Sequence, residues 1–160
     1  MLDKKRTACF TGHRNIPTEH IEKIKRLLDE TIEELYQMGV LFFGAGGAYG
    51  FDIMAEEAVL KAKEKHHEIK LILVLPCKDQ CRYWSEQNKI QYKNLINKAD
   101  KIVYTTETYC NGCMHKRNIH LVNYSGYCIS YMNRFNGGTA FTVEYAKLKG
   151  LKVINLFDRI

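Results

Sequence analysis

Short β-rich runs separated by stretches of helical spacing recur along the whole chain, and this alternation constrains the fold more than any other feature. The runs fall at 7–11, 40–43, 70–75, 101–105, 127–132 and 152–156. Between them, apolar residues return every three or four positions, as on one face of a helix. The clearest case predicts a helix from about residue 18, where Thr18-Glu19 after Pro17 offers a cap, along the stripe Ile21, Ile24, Leu27, Leu28, Ile32 and Leu35 to a stop at Gly39. Further helices are expected at 51–64, 84–96, 114–123 and 139–148, the last closed by Gly150. Strands joined through helices of this length require right-handed crossovers and a sheet buried on both faces. The expected fold is therefore α/β, a doubly wound, mainly parallel sheet of about six strands with helices on both faces. At 160 residues the chain is expected to make a single domain, 1–160.

In such sheets ligands bind beyond the carboxyl ends of the strands, so the residues that follow each strand are the ones to read. The first run is followed by Thr11-Gly12-His13-Arg14-Asn15 and the second by Gly44-Ala45-Gly46-Gly47-Ala48-Tyr49-Gly50-Phe51-Asp52. Pro76-Cys77-Lys78 follow the third, and a long loop leads from the fourth into Met114-His115-Lys116-Arg117-Asn118. After the fifth come Asn136-Gly137-Gly138-Thr139. Glycine-bearing exits at helix starts expose backbone amides, and the helix dipole behind them favours an anion. Phosphate is expected on the amides near Gly46-Gly47 and Gly137-Gly138-Thr139, with Arg14 and Arg117 as counter-charges. A base or ribose would lie toward His13, Asp52 and Trp84, although Asp52, after Gly50 at a helix start, serves equally well as a cap. Of Tyr83 and Trp84, one is expected to pack the third helix onto the sheet. His66-His67 reads as surface.

Two familiar nucleotide motifs are absent. The dinucleotide fingerprint needs a third glycine where Tyr49 stands, and it belongs on the first strand, not the second. No Gly-Lys-Ser/Thr of a P-loop occurs. The balance of 24 basic to 18 acidic residues suits a partner that carries phosphate. No apolar run approaches the roughly 20 residues that span a bilayer, and Met1 to Arg6 lacks the apolar core of a secretion signal, so the expectation is a cytoplasmic protein that does not enter the membrane. Its six cysteines are then read as reduced thiols. Cys77, Cys81, Cys110 and Cys113 would be the zinc candidates, but their spacing is irregular, and neither a metal nor a cofactor is expected.

Four short motifs in register give a more specific reading. Phe10-Thr11-Gly12-His13-Arg14, then Gly46 to Asp52 with Ala55-Glu56, then Arg117-Asn118, and finally Gly137-Gly138-Thr139 with Glu144-Tyr145-Ala146 resemble the YpsA-like branch of the SLOG superfamily nearly end to end. The resemblance implies a Rossmann-like fold that binds a nucleotide or nucleotide-derived ligand such as an ADP-ribose derivative, as a sensor or regulatory module, and it makes a homodimer plausible.

Two related families supply alternatives. Met114-His115-Lys116-Arg117, and Gly137-Gly138 with Glu144, resemble the Met-His-x-Arg and Pro-Gly-Gly-x-Gly-Thr-x-Glu-Glu elements of Lonely Guy type phosphoribohydrolases. That resemblance implies Arg117 and Glu144 as catalytic residues on an N-glycosidic bond, whose oxocarbenium-like transition state a carboxylate stabilises. The sequence departs from those enzymes at Asn118, Asn136, Ala140 and Phe141, so binding is expected to outlast hydrolysis. Gly46 to Asp52 also resembles the Gly-x-Ala-Arg-Gly-Ile-Asp motif of DprA, a single-stranded DNA-binding family, but Tyr49 replaces its arginine. Losing that cation makes nucleic acid the third choice, behind a small nucleotide-like ligand.

Overall fold

The computed structural model describes residues 3–160. Strands and helices alternate as the pattern requires: β1 Thr7–Gly12, α1 Ile21–Gln37, β2 Phe42–Ala45, α2 Phe51–Lys65, β3 Lys70–Leu75, α3 Glu86–Lys98, β4 Lys101–Tyr104, α4 Cys113–Asn123, β5 Tyr127–Tyr131, α5 Gly137–Leu148 and β6 Lys152–Asn155. All neighbouring strands pair in parallel, in the order β4-β3-β2-β1-β5-β6. The fold is Rossmann-like and doubly wound.

That order follows from two runs of crossovers in opposite directions. From β1 to β4 the chain steps outward one way, and right-handedness keeps α1, α2 and α3 on one face, where α2 packs against both of the others. It then returns through α4 to β5, on the other side of β1, so that α4 and α5 pack together on the opposite face. Successive strand side chains serve opposite faces. Ala8 and Phe10 of β1 join the larger core with Ile24, Leu28, Phe43, Phe51 and Leu73, while Cys9 joins Cys128, Leu121, Val122 and Ala146 on the other side. The direction of winding changes between β1 and β5, and the crevice expected of such sheets opens there.

Element ends differ from the sequence expectation in ways that have local causes. Val40 is not the start of β2, because its amide donates to Leu35 O at 2.9 Å while Gly39 N donates to Tyr36 O at 3.0 Å, closing α1 before the strand begins at Phe42. Thr18 does not cap α1: Thr18–His20 form a separate 3-10 turn, and the helix starts at Ile21. Gly44 lies inside β2, not after it. His66 is not a free surface residue, since its ring stacks on Tyr36 at 3.9 Å and bonds Glu33 at 2.8 Å. Among the described residues no helix is long and apolar enough to cross a membrane.

Close packing where β1 meets α2 sets the height of the crevice floor. Gly12 ends β1 directly beneath the fully buried Phe51 ring, and a Cβ there would lie 2.6 Å from Phe51 Cβ and nearer still to its ring. Only glycine lets α2 begin this close to the strand. Gly12→Ala should lower unfolding free energy by about 1–3 kcal/mol. Urea denaturation should show this as a reduced midpoint at unchanged slope.

Candidate functional site

A cavity of about 360 Å³ lies over the carboxyl ends of β1 and β5. Gly12, His13 and Arg14 follow β1 into its wall; Ala48 and Tyr49 come from the loop after β2, and Asp52 from the first turn of α2. Arg117 and Asn118 reach it from α4, and Gly137, Gly138 and Thr139 from the start of α5. Most of the residues expected to bind ligand are thus brought together, from both faces of the sheet. A larger depression of about 710 Å³ lies over α1 and α2, lined by Ile16, Ile21, Ile53 and Met54 with the Lys61–Asp29 ion pair at 2.8 Å. Arg14, Gly50 and the start of α1 at Ile21 also line it, but none of the expected α4 or α5 residues does.

Arg117 is the best-anchored side chain of the site. Only 6% exposed, it donates through Nη1 to the carbonyl of Gly46 and through Nε to Asn118 Oδ1 at 2.7 Å, and Nη2 lies 3.8 Å from Met114 Sδ. Burial lowers its pKa, opposed chiefly by the nearby Asp52 carboxylate. A Cβ on Gly46 would overlap the guanidinium, so that glycine makes room for arginine. The expected counter-charge is therefore a clamp on the glycine loop, and Asn118 is its partner.

Other expected residues take definite places. His13 is 5% exposed, and its Nε2 accepts from Asn133 N at 3.2 Å; burial, and then Arg134, lower its pKa, so the ring stays neutral. Arg14 is exposed and lies over the Tyr49 ring, 5.1 Å from its centroid. Gly50 precedes α2 with φ +87°, and a Cβ there would strike the Arg14 backbone. Gly47 packs beneath Leu75 and Gln80 and does not reach the cavity wall. Asp52 caps the loop within the chain, its Oδ2 accepting from Ala48 N at 3.2 Å. Thr139 is the third residue of α5, because that helix starts at Gly137.

Besides Gly46, Gly47 and Gly50, which shape the loop without lining the cavity, two more candidates lie outside it. Trp84 packs edge-on between Tyr49 and Tyr92, at 5.3 Å and 5.2 Å, while Tyr83 beside it is 86% exposed. Glu144 points to solvent from α5 with its side chain 71% exposed, 3.7 Å from Lys147. It is not brought to Arg117.

Two residues that the sequence reading passed over, Gln80 and Arg134, belong here, as does Glu56, which it read only as part of a family motif. Glu56, one helical turn after Asp52, is 1% exposed and its Oε2 has no hydrogen-bond partner. Burial, and then the Asp52 charge, push its pKa well above the ordinary carboxylate value, with Arg117 pulling the other way. Burial also raises Asp52, against the opposing pull of Arg117. The i,i+4 spacing of two acids on the apolar side of α2 was the available signal. Gln80 donates from Nε2 to Gly46 O at 3.4 Å and to Tyr92 Oη at 3.3 Å, bracing the same carbonyl that Arg117 holds. Arg134, three residues after the end of β5, is exposed at the cavity rim. Among the described residues no three His, Cys, Asp or Glu side chains are grouped to hold a metal, and burial pushes the Cys77 thiol up to about 11.

Comparison with known proteins assigns the fold to a family. The profile of YpsA, described as the YspA SLOG family, matches residues 9–153. The chain belongs to the YpsA family. Its relatives include the SPbeta prophage-derived protein YoqJ of Bacillus subtilis, 32% identical over 138 residues, which cover 78% of this chain and 81% of that protein. Among solved structures, DNA processing protein A of Streptococcus pneumoniae superposes with a TM-score of 0.65 at 16% identity, over 92% of this YpsA chain. The match takes in 48% of the Streptococcus protein, so this chain spans about half its length. DNA processing protein A of Helicobacter pylori, described by its single-stranded DNA binding mode, gives 0.56 at 17% identity over 98% of this chain and 79% of that one. At such identities the likeness is one of fold.

Two outcomes follow for the buried charges. Arg117→Ala strands Asp52 and Glu56 and releases the glycine loop, and should cost about 3–5 kcal/mol in denaturant unfolding. Glu56 titrates higher in the folded protein than in the unfolded chain. Between the ordinary and the raised pKa the folded state holds a proton that the unfolded state has lost, so stability falls as pH rises through that window. Glu56→Gln removes the dependence, and its melting temperature relative to the parent should climb as pH rises above the ordinary carboxylate range.

Proposed function

We propose that this YpsA-family chain binds a phosphate-bearing, nucleotide-derived small molecule, of which ADP-ribose derivatives are one class, at the carboxyl edge of its sheet. The role that fits is a cytoplasmic sensor or regulatory module, with assembly as a homodimer part of the same reading. One observation carries it: α5 starts in the cavity wall at Gly137, and Asn136 before it makes no side-chain bond to the first amides. Those unengaged N–H groups and the helix dipole favour an anion, and the exposed Arg14 and Arg134 stand at the rim to meet its charge. Arg117, held by Gly46 and Asn118, serves as scaffold.

The N-glycosidase alternative is weakened by the solvent-facing Glu144. A single-stranded DNA reading keeps some support from the fold shared with the Helicobacter protein and from exposed aromatics on the same edge: Phe135 is 91% exposed, and Tyr83, 86% exposed, carries Arg82 over its ring at 4.7 Å. Tyr49, packed against Trp84 at the wall of a cavity of about 360 Å³, favours the small ligand.

Native mass spectrometry against AMP, ADP-ribose and NAD should show a ligand on the chain. Removing both rim arginines (Arg14→Ala with Arg134→Ala) should weaken it by about tenfold or more, since a charge-assisted hydrogen bond is worth about 1.5–3 kcal/mol. Failure of the whole panel, with salt-sensitive retention of an oligonucleotide instead, would reverse the order of the two readings.

A further inference from the structure

The cavity is electrically divided. Its rim is positive, with Arg14, Arg134 and the start of α5, yet the wall between them includes one acid, Asp52, 7% exposed. Directly behind it stands Glu56 with its unpartnered Oε2. Arg117 is the cation buried with this pair, and its Nη1–H and Nε–H are spent on Gly46 and Asn118. One guanidinium balances one carboxylate, and a second ion in the same dry volume would be costly. The proton therefore belongs on Glu56, the more deeply buried acid, which has no donor to stabilise a charge. Burial raises Asp52 as well, but Asp52 accepts the Ala48 amide and lines the cavity, so of the two acids it is the one to hold the charge that Arg117 balances.

An ionised carboxylate beside an anion site repels the anion it is meant to hold. It becomes favourable only if the same ligand brings hydrogen-bond donors close to its phosphate, because a carboxylate only accepts. In a nucleotide the groups next to the phosphate are those of the sugar, and a ribose offers two adjacent hydroxyls that one carboxylate can take together. The base is served elsewhere: Tyr49, with Arg14 above it, presents a ring at the cavity edge. A volume of about 360 Å³ lies near the lower end of ligand pockets, which suits a phosphoribosyl group inside and a base at the mouth.

We propose that Asp52 accepts hydrogen bonds from the sugar hydroxyls of a ligand whose phosphate meets the start of α5, so that the site selects ribonucleotides over deoxyribonucleotides. The inference rests on the phosphate-binding reading above, but it fails separately. The test is calorimetric titration of the full chain with AMP, UMP, their 2′-deoxy and 3′-deoxy forms, and orthophosphate. The ribonucleotide should bind at least about tenfold tighter than its deoxy forms, as expected for lost hydrogen bonds to a charged acceptor. In Asp52→Asn, that ratio should collapse toward unity through loss of the ribo form alone, with affinity for the deoxy form kept or improved. Equal binding of ribo and deoxy forms by the parent chain overturns the inference and leaves the phosphate site standing. So does a ratio that survives Asp52→Asn. Absence of binding by every probe overturns both readings, and if Asp52→Asn does not fold, the ratio in the parent chain decides.

Discussion

A guanidinium buried at the top of the sheet is the constraint on which the site depends. Arg117 arises on α4, on one face, and its partners lie across the strand ends: the carbonyl of Gly46 after β2, and the acids Asp52 and Glu56 on α2, on the other face. A charge at 6% exposure is tolerable only with good partners, so each partner is held in turn. Gly46 must lack a side chain because the guanidinium occupies that space, and Gln80 supports its carbonyl from the loop after β3. Asp52 ties the loop to α2 through the Ala48 amide. The two helical layers, which the sheet otherwise separates, are thus joined over its carboxyl edge.

Winding direction explains why the cavity lies where it does. β1 has β2 on one side and β5 on the other, and the crossovers leaving β1 and β5 run over opposite faces. The loops after these two strands therefore splay apart, and the gap between them cannot be filled by a helix from either layer. Gly12 lets Phe51 settle low over the end of β1, which brings α2 and Asp52 down to the cavity. Topology supplies the opening; one glycine and one aromatic ring set its depth.

This also separates what could be read from the sequence from what could not. Strand positions were legible because parallel strands buried on both faces read as apolar runs, and β3 at Lys70–Leu75 matches its run end to end. Most of the strand exits that line the cavity were legible for the same reason, since topology forces them to one edge. Side-chain commitments were not. Residue type marks Arg117 as a cation but does not reveal that Gly46 and Asn118 already use it. Glu144 occupies a helix whose direction the sequence leaves open by a rotation, enough to turn a catalytic candidate into a surface partner of Lys147. Trp84 was displaced by packing, between Tyr49 and Tyr92. Glu56 was read only as part of the Ala55-Glu56 motif and given no role, because a lone acid on a helix is normally solvated; its i,i+4 relation to Asp52 was the further hint.

The resulting division of labour bears on how a ligand would be held. A buried cation could grip phosphate strongly, but releasing Arg117 from Gly46 would uncover a buried carbonyl and two acids, so that grip would be offset by damage to the loop. Exposed arginines face no such conflict: Arg14 and Arg134 are solvated before a ligand arrives and lose little when they turn toward it. Backbone amides at Gly137 and Gly138 require no rearrangement at all. Once an anion covers the cavity, water leaves, and the same rim charges act through a lower dielectric than before. In the proposed site the buried interior would fix shape and acceptor, and the exposed rim would supply the attraction. A ligand large enough to reach both rim arginines would gain the most from them.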